Sequence, residues 1–136
     1  MLGEMIGEFH GKSTGMRVLP GDDYRYVKIE ISYMSQGTLL GEPAQDMGTL
    51  ETFERLPGQT YGSGQGMLFG AGGGVIYNQH GIGTMSGEGM SSHVMFSAAC
   101  QAPTDGPLAR LNSILIVGEQ DIDAEGNITT RLYEWK

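Results

Sequence analysis

Two ionisable side chains stand where a strand could carry them into an apolar enclosure. Under two-residue alternation His80 shares a face with Ile76, Asn78 and Ile82, and Glu119 shares one with Leu115, Val117 and Asp121. If the face richer in apolar residues turns inward, the two meet as acid and base. An imidazole titrates near neutrality, and a carboxyl group in an apolar site is pushed upward, so the pair would move protons in an isomerisation, cyclisation or hydration without a metal or organic cofactor. Tyr33, Asn78 and Asn112 sit among apolar neighbours and are the matching hydrogen-bonding groups. The plainer alternatives are a His80 on the outer wall, or one satisfied by a strand neighbour, and carboxylates that are simply solvated. Glu51, beside Met47 and Phe53, is a second carboxylate of the same kind. His93 follows Ser91 and Ser92 and reads as a rim residue, and His10 follows Glu8 on a polar side.

Other chemistries find little support. Gly62-Ser63-Gly64-Gln65-Gly66-Met67 has neither the spacing of a dinucleotide loop nor a helix after it. Gly11-Lys12-Ser13 lacks the first glycine of a phosphate loop, since residue 6 is Ile. Three scattered histidines and the single Cys100 make no zinc site, and no cofactor is expected. Cys100 alternates with Val94, Phe96 and Ala98 and reads as a small buried hydrophobe. A formal net charge of −8, from 16 Asp and Glu against 8 Lys and Arg, opposes a nucleic-acid backbone or an anionic membrane as partner. The start MLGEMIGEFH has no basic region or long apolar core, so no secretory signal is expected and the mature protein is expected to begin at Met1. The run Ile114-Leu115-Ile116-Val117 is far short of the ~20 residues of a membrane helix, so a soluble protein of a reducing cytoplasm is expected.

The elements that must position these groups are strands. With 136 residues the chain makes one domain, 1–136, able to bury its own core. Helical periodicity is nowhere sustained, whereas alternation between Gly, Pro, Asp or Asn breaks recurs about eight times. Strands are expected over about 2–18, 24–40, 46–56, 61–69, 75–85, 93–101, 111–122 and 127–136, with one helical turn near 108–111. Turns are expected at 20–23, 57–58, 86–89 and 123–127, and a glycine-rich hairpin tip at 70–74. Gly62, Gly64 and Gly66, and again Gly81 and Gly83, fall at every second position and clear one strand face, which suits a crowded, curved interior. Eight strands with short connections favour an all-β, antiparallel up-and-down barrel, with a two-sheet sandwich as the rival.

The stretch Gly74-Val75-Ile76-Tyr77-Asn78-Gln79-His80-Gly81-Ile82-Gly83-Thr84 and the break Thr104-Asp105-Gly106-Pro107-Leu108-Ala109-Arg110-Leu111 before an apolar strand resemble small bacterial barrels of uncharacterised function. Those barrels are similar to the allene oxide cyclase and dirigent barrels. Asn112-Ser113 departs from the glycine expected after the turn. The resemblance covers about the last two thirds of the chain and rests on turn chemistry. It implies a barrel whose lumen binds an apolar small molecule, often in an oligomer.

Tyr33, Phe53, Tyr61, Phe69, Tyr77 and Phe96, with Met34, Met47, Met67 and Met95, are suited to an adaptable apolar cavity, and equally to a filled core or a subunit interface. If the glycines point inward, Tyr61, Met67, Phe69, Tyr77 and Met85 face outward as one patch, and a homo-oligomer, most simply a dimer, is expected. Two functions therefore stand side by side. One is a small-molecule-binding barrel; the other is a cofactor-independent enzyme using His80 and Glu119.

Overall fold

The computed structural model of the chain describes residues 1–21, 26–70, 72–87, 89 and 91–136. Eight strands follow one another: β1 (Leu2–Leu19), β2 (Lys28–Leu39), β3 (Glu42–Leu56), β4 (Gln59–Gly70), β5 (Gly73–Met85), β6 (Ser92–Gln101), β7 (Leu115–Ile122) and β8 (Asn127–Trp135). Each pairs antiparallel with its neighbour in sequence. β8 returns to β1, with Phe9 opposite Thr130 and Gly11 opposite Ile128, so the sheet closes as a barrel. The sandwich alternative falls here, because a sandwich would leave two open sheets. Asp22, Asp23, Tyr24, Ala71 and Glu88, where turns and the start of the second strand are expected, lie outside the described residues.

Local chemistry sets the corners. Leu40 and Gly41 both have positive φ, 51° and 83°, which makes the β2–β3 connection a two-residue hairpin turn whose twist matches that of its strands. In the β7–β8 loop Asp123 accepts hydrogen bonds from the Asn127 side-chain amide at 2.8 Å and from the Asn127 and Glu125 backbone amides, both at 2.9 Å, and these bonds, the Asn127 side chain first, hold its carboxyl below the usual carboxylate range. β1 shifts register between Ser13 and Gly15, a bulge that lets one 18-residue strand bend while it serves both β8 and β2.

The inward parity is set by glycine. Gly62, Gly64 and Gly66 of β4 share the inner face with Leu68, and Gly81 and Gly83 of β5 share it with Val75 and Tyr77. Inward aromatic rings stand opposite glycines on neighbouring strands: Phe9 faces Gly37, Tyr33 faces Gly48, Tyr77 faces Gly66, and Phe96 lies between Gly81 and Gly118. A methyl group at Gly48, Gly66 or Gly118 would come within 3.0 Å of the facing ring.

The two ends of the barrel differ. At the end bearing the β2–β3 turn, Phe9, Leu39, Leu68, Val75, Tyr77, Ile116 and Leu132 fill the lumen. The 3₁₀ turn Ala109–Ser113 plugs that end with Leu111, wholly buried beside Leu108. Toward the opposite end, which carries the β3–β4, β5–β6 and β7–β8 connections, the lumen opens into a cavity of about 490 Å³. Three positions sort these glycines. Gly66→Ala and Gly118→Ala should each lower stability by about 1–3 kcal/mol through overpacking, whereas Gly15→Ala, with nothing within 4 Å of the added carbon, should stay within about 0.5 kcal/mol. Urea unfolding of the three variants checks this, and equal losses at all three would refute the packing account.

Candidate functional site

The cavity exists because its wall is short of side chains. Gly62 on β4 and Gly81 and Gly83 on β5 line it without filling it, while Ile29 and Ile31 of β2, Leu50 of β3, Val94 and Phe96 of β6 and Ile122 of β7 supply apolar surface. Its volume lies in the range of small-molecule pockets, about 300–1,000 Å³. Met16, Tyr26, Phe53 and Met85 stand nearer the mouth, and Glu54 is the charged residue among the described ones that line it. At the inner end are Gln79 and Gln120.

Below Gln79 runs a chain of hydrogen bonds that reaches a buried carboxylate. The Tyr77 hydroxyl donates to Asp46 Oδ1 at 2.7 Å, Tyr33 and Tyr77 share a hydroxyl–hydroxyl bond, and Gln79 Nε2 donates to Tyr33 Oη at 2.9 Å. Since the Tyr77 proton is committed to Asp46, Tyr33 must donate to Tyr77, and every bond in the chain points toward the carboxylate. Burial is the main cause that raises the Asp46 carboxyl to about 6, opposed by the bond from Tyr77. Burial and the neighbouring Asp46 charge raise both phenols as well, so they stay protonated. A separate polar contact, Gln120 Nε2 to Thr130 Oγ1 at 3.1 Å, lies on the β7–β8 side. Burial also lifts the Cys100 thiol to about 11, as suits the small hydrophobe the sequence suggests.

Asp46 does not meet the large cavity. With Tyr33, Tyr77, Gln79, Phe96 and Gln120 it borders a separate internal void of about 20 Å³. A space of that size admits about one water and no organic substrate.

The structure separates the residues singled out by sequence. Tyr33 lies inside, 4 % exposed, within the chain just described. The inward placement of His80 is corrected: it faces outward on β5, its Nε2 2.8 Å from Tyr61 Oη, because Gly81 and Gly83 put the opposite face of the strand indoors. Ile76 and Ile82 are exposed with it. Glu119 is likewise on the outer wall, with Arg131 at 3.6 Å, because Gly118 and Gln120 are the inward residues there. His80 and Glu119 border one open outer hollow, so the pair is not in the lumen. Asn78 is exposed on the outer face of β5. Asn112 sits at the plugged end, where its side-chain oxygen accepts from the Ala102 amide at 2.8 Å and its Nδ2 donates to the Ala102 and Ala109 carbonyls. It fastens the plug. His93 is at the rim as expected, 2.7 Å from Asp121, and Glu51 is exposed. Tyr77, expected outside with Tyr61, is buried.

Asp46, Gln79 and Gln120 are missing from the sequence-based candidates. Their signal is parity: Asp46 precedes Gly48 by two, Gln79 precedes Gly81 by two, and Gln120 follows Gly118 by two. A third strand expected from residue 46 places Asp46 at a strand end, whereas β3 begins at Glu42 and carries Asp46 within it.

The raised Asp46 value carries a pH dependence of fixed sign. A folded carboxyl that titrates at about 6 instead of 3.8 favours the protonated form, so its contribution is present below pH 3.8 and is lost as pH rises to about 6. The loss is roughly 3 kcal/mol. Asp46→Asn keeps an oxygen for Tyr77 and carries no charge. Urea unfolding should show wild-type stability falling between pH 4 and 6.5 and the variant losing that fall; parallel profiles would refute the assignment.

No family model matches the sequence, and no curated protein matches it. Among solved structures, the chain is similar to a protein of unknown function from Clostridium acetobutylicum ATCC 824, with a TM-score of 0.79 at 11% identity, covering 98% of each chain. It is similar also to a conserved protein of unknown function from Rhodopseudomonas palustris, with a TM-score of 0.79 at 12% identity, covering 98% of this chain and 97% of that one. At such identities the likeness shows the closed barrel fold.

Proposed function

We propose that the barrel binds a small apolar molecule in the 490 Å³ cavity. One observation carries the reading: a closed barrel that packs one half of its lumen down to a void of about 20 Å³ leaves the other half open, with inward glycines where side chains would close it. Apolar walls over a few polar groups at one end are the usual design of a small-molecule site. Acid–base catalysis is less well supported, because the carboxyl group with the raised value is walled off from that cavity and His80 stands in open solvent.

The neutral dye N-phenyl-1-naphthylamine serves as the first probe. Its fluorescence should rise saturably at one site per chain, and Val94→Phe, which thrusts a ring into the space, should weaken binding at least tenfold while the thermal unfolding transition persists. Unchanged affinity in that variant would place the dye elsewhere and refute the reading.

The outer wall supports a homodimer as the working form. Met34, Met47, Met67 and Ile76 stand side by side in register across four strands, all at least 39% exposed. Such a row is self-complementary under a two-fold axis, and thioethers adapt to an irregular partner surface. Light scattering at micromolar concentration should give about twice the 14.6 kDa chain mass, and Met47→Glu with Met67→Glu should return it to one. A wild-type monomer would refute the dimer.

A further inference from the structure

The polar end of the cavity specifies the chemistry of what it holds. We propose that the ligand is an uncharged molecule with a hydrogen-bonding head, such as an amide or an alcohol, that enters head first and leaves its apolar body against the barrel wall. This rests on the cavity-binding reading and adds the ligand class to it.

Two carboxamides carry the argument. Gln79 uses one N–H on Tyr33, and Gln120 uses one N–H on Thr130. A carboxamide has a second N–H and an oxygen with two lone pairs, and these make no further bond among the described residues. No sealed side-chain nitrogen or oxygen among the described residues lacks a partner, so the oxygens of both amides, which accept no bond there, reach open space. The large cavity is lined by both residues. A head that both donates and accepts would use the oxygens and the spare N–H groups together.

Charge selects against the alternatives. No Lys or Arg is among the described lining residues, Glu54 stands toward the mouth, and Asp46 lies beneath the inner end. A carboxylate head would be desolvated without a cation and repelled by both carboxylates. An ammonium head could donate to the amide oxygens but would leave water with no carboxylate in contact at the inner end, because Asp46 is behind Gln79 and Phe96 and already accepts from Tyr77.

The test is displacement of N-phenyl-1-naphthylamine from the full chain at pH 7.5 by decanamide, 1-decanol, decanoate and decylamine, which share a chain and differ in the head. Decanamide and 1-decanol should compete at least tenfold better than decanoate and decylamine. Gln79→Met with Gln120→Met should remove that preference while the dye still binds. Stronger competition by decanoate or decylamine overturns the inference, as does equal competition by all four, in which case cavity binding stands without head selection. A dye that fails to bind the wild-type chain overturns the cavity reading itself. Preference unchanged in the double variant overturns the role of the two amides.

Discussion

The interior of an eight-stranded barrel is narrow, and everything else in this molecule follows from how that narrowness is met. Eight inward faces converge on one axis, and there is not room for a large side chain from each. Here the solution is pairwise. An inward aromatic ring lies across the glycine opposite it, so that two strands share the volume of one side chain. Cross-strand pairs are the natural unit for such a compromise, since directly opposed residues are the ones whose side chains compete for the same space.

The same device produces both the packed half and the open half. Where a ring covers the glycine, as Tyr33 covers Gly48 and Tyr77 covers Gly66, the lumen is filled but for a void of about 20 Å³. Nearer the mouth, Gly62 and Gly83 face Thr52, Thr60 and Val94, which are too small to span the lumen. The cavity is thus a place where the glycine pattern continues and the aromatic partners stop. Phe96 stands at the boundary, against Gly118 and Gly81, and borders both the cavity and the void beneath it.

The order of strands and their approximate limits were legible from two-residue alternation and turn residues, and so was closure. Facing was legible in part. On β2, apolar content and glycine parity agree, and Ile29, Ile31 and Tyr33 line the interior as alternation implies. On β5 the two signals conflict: Ile76 and Ile82 argue for one face, Gly81 and Gly83 for the other. The steric signal wins, because an interior that lacks room selects against bulk more strongly than it selects for hydrophobicity. His80 and Tyr77 exchange places on that account. On β7 the same rule turns Glu119 outward. The site was hidden for another reason. Asp46, Tyr77, Tyr33 and Gln79 come from three strands, and only the barrel's curvature brings their polar ends together.

That buried chain has a logic that hydrogen-bond counting makes plain. Tyr33 and Tyr77 cross the lumen, and each brings a hydroxyl that must both donate and accept if it is to be buried without loss. Two hydroxyls and an amide that donates into them leave one proton over, which needs a terminal acceptor. Asp46 is that acceptor, and Gln79 at the other end presents the chain to the cavity. An apolar residue at 46 would strand the Tyr77 proton in the core, at a cost of about 1–3 kcal/mol. The carboxylate therefore completes the set of bonds that lets two phenols occupy the centre of the barrel. Because every bond in that set points away from the cavity, the Gln79 oxygen accepts no bond from the described residues and stays open on the cavity side.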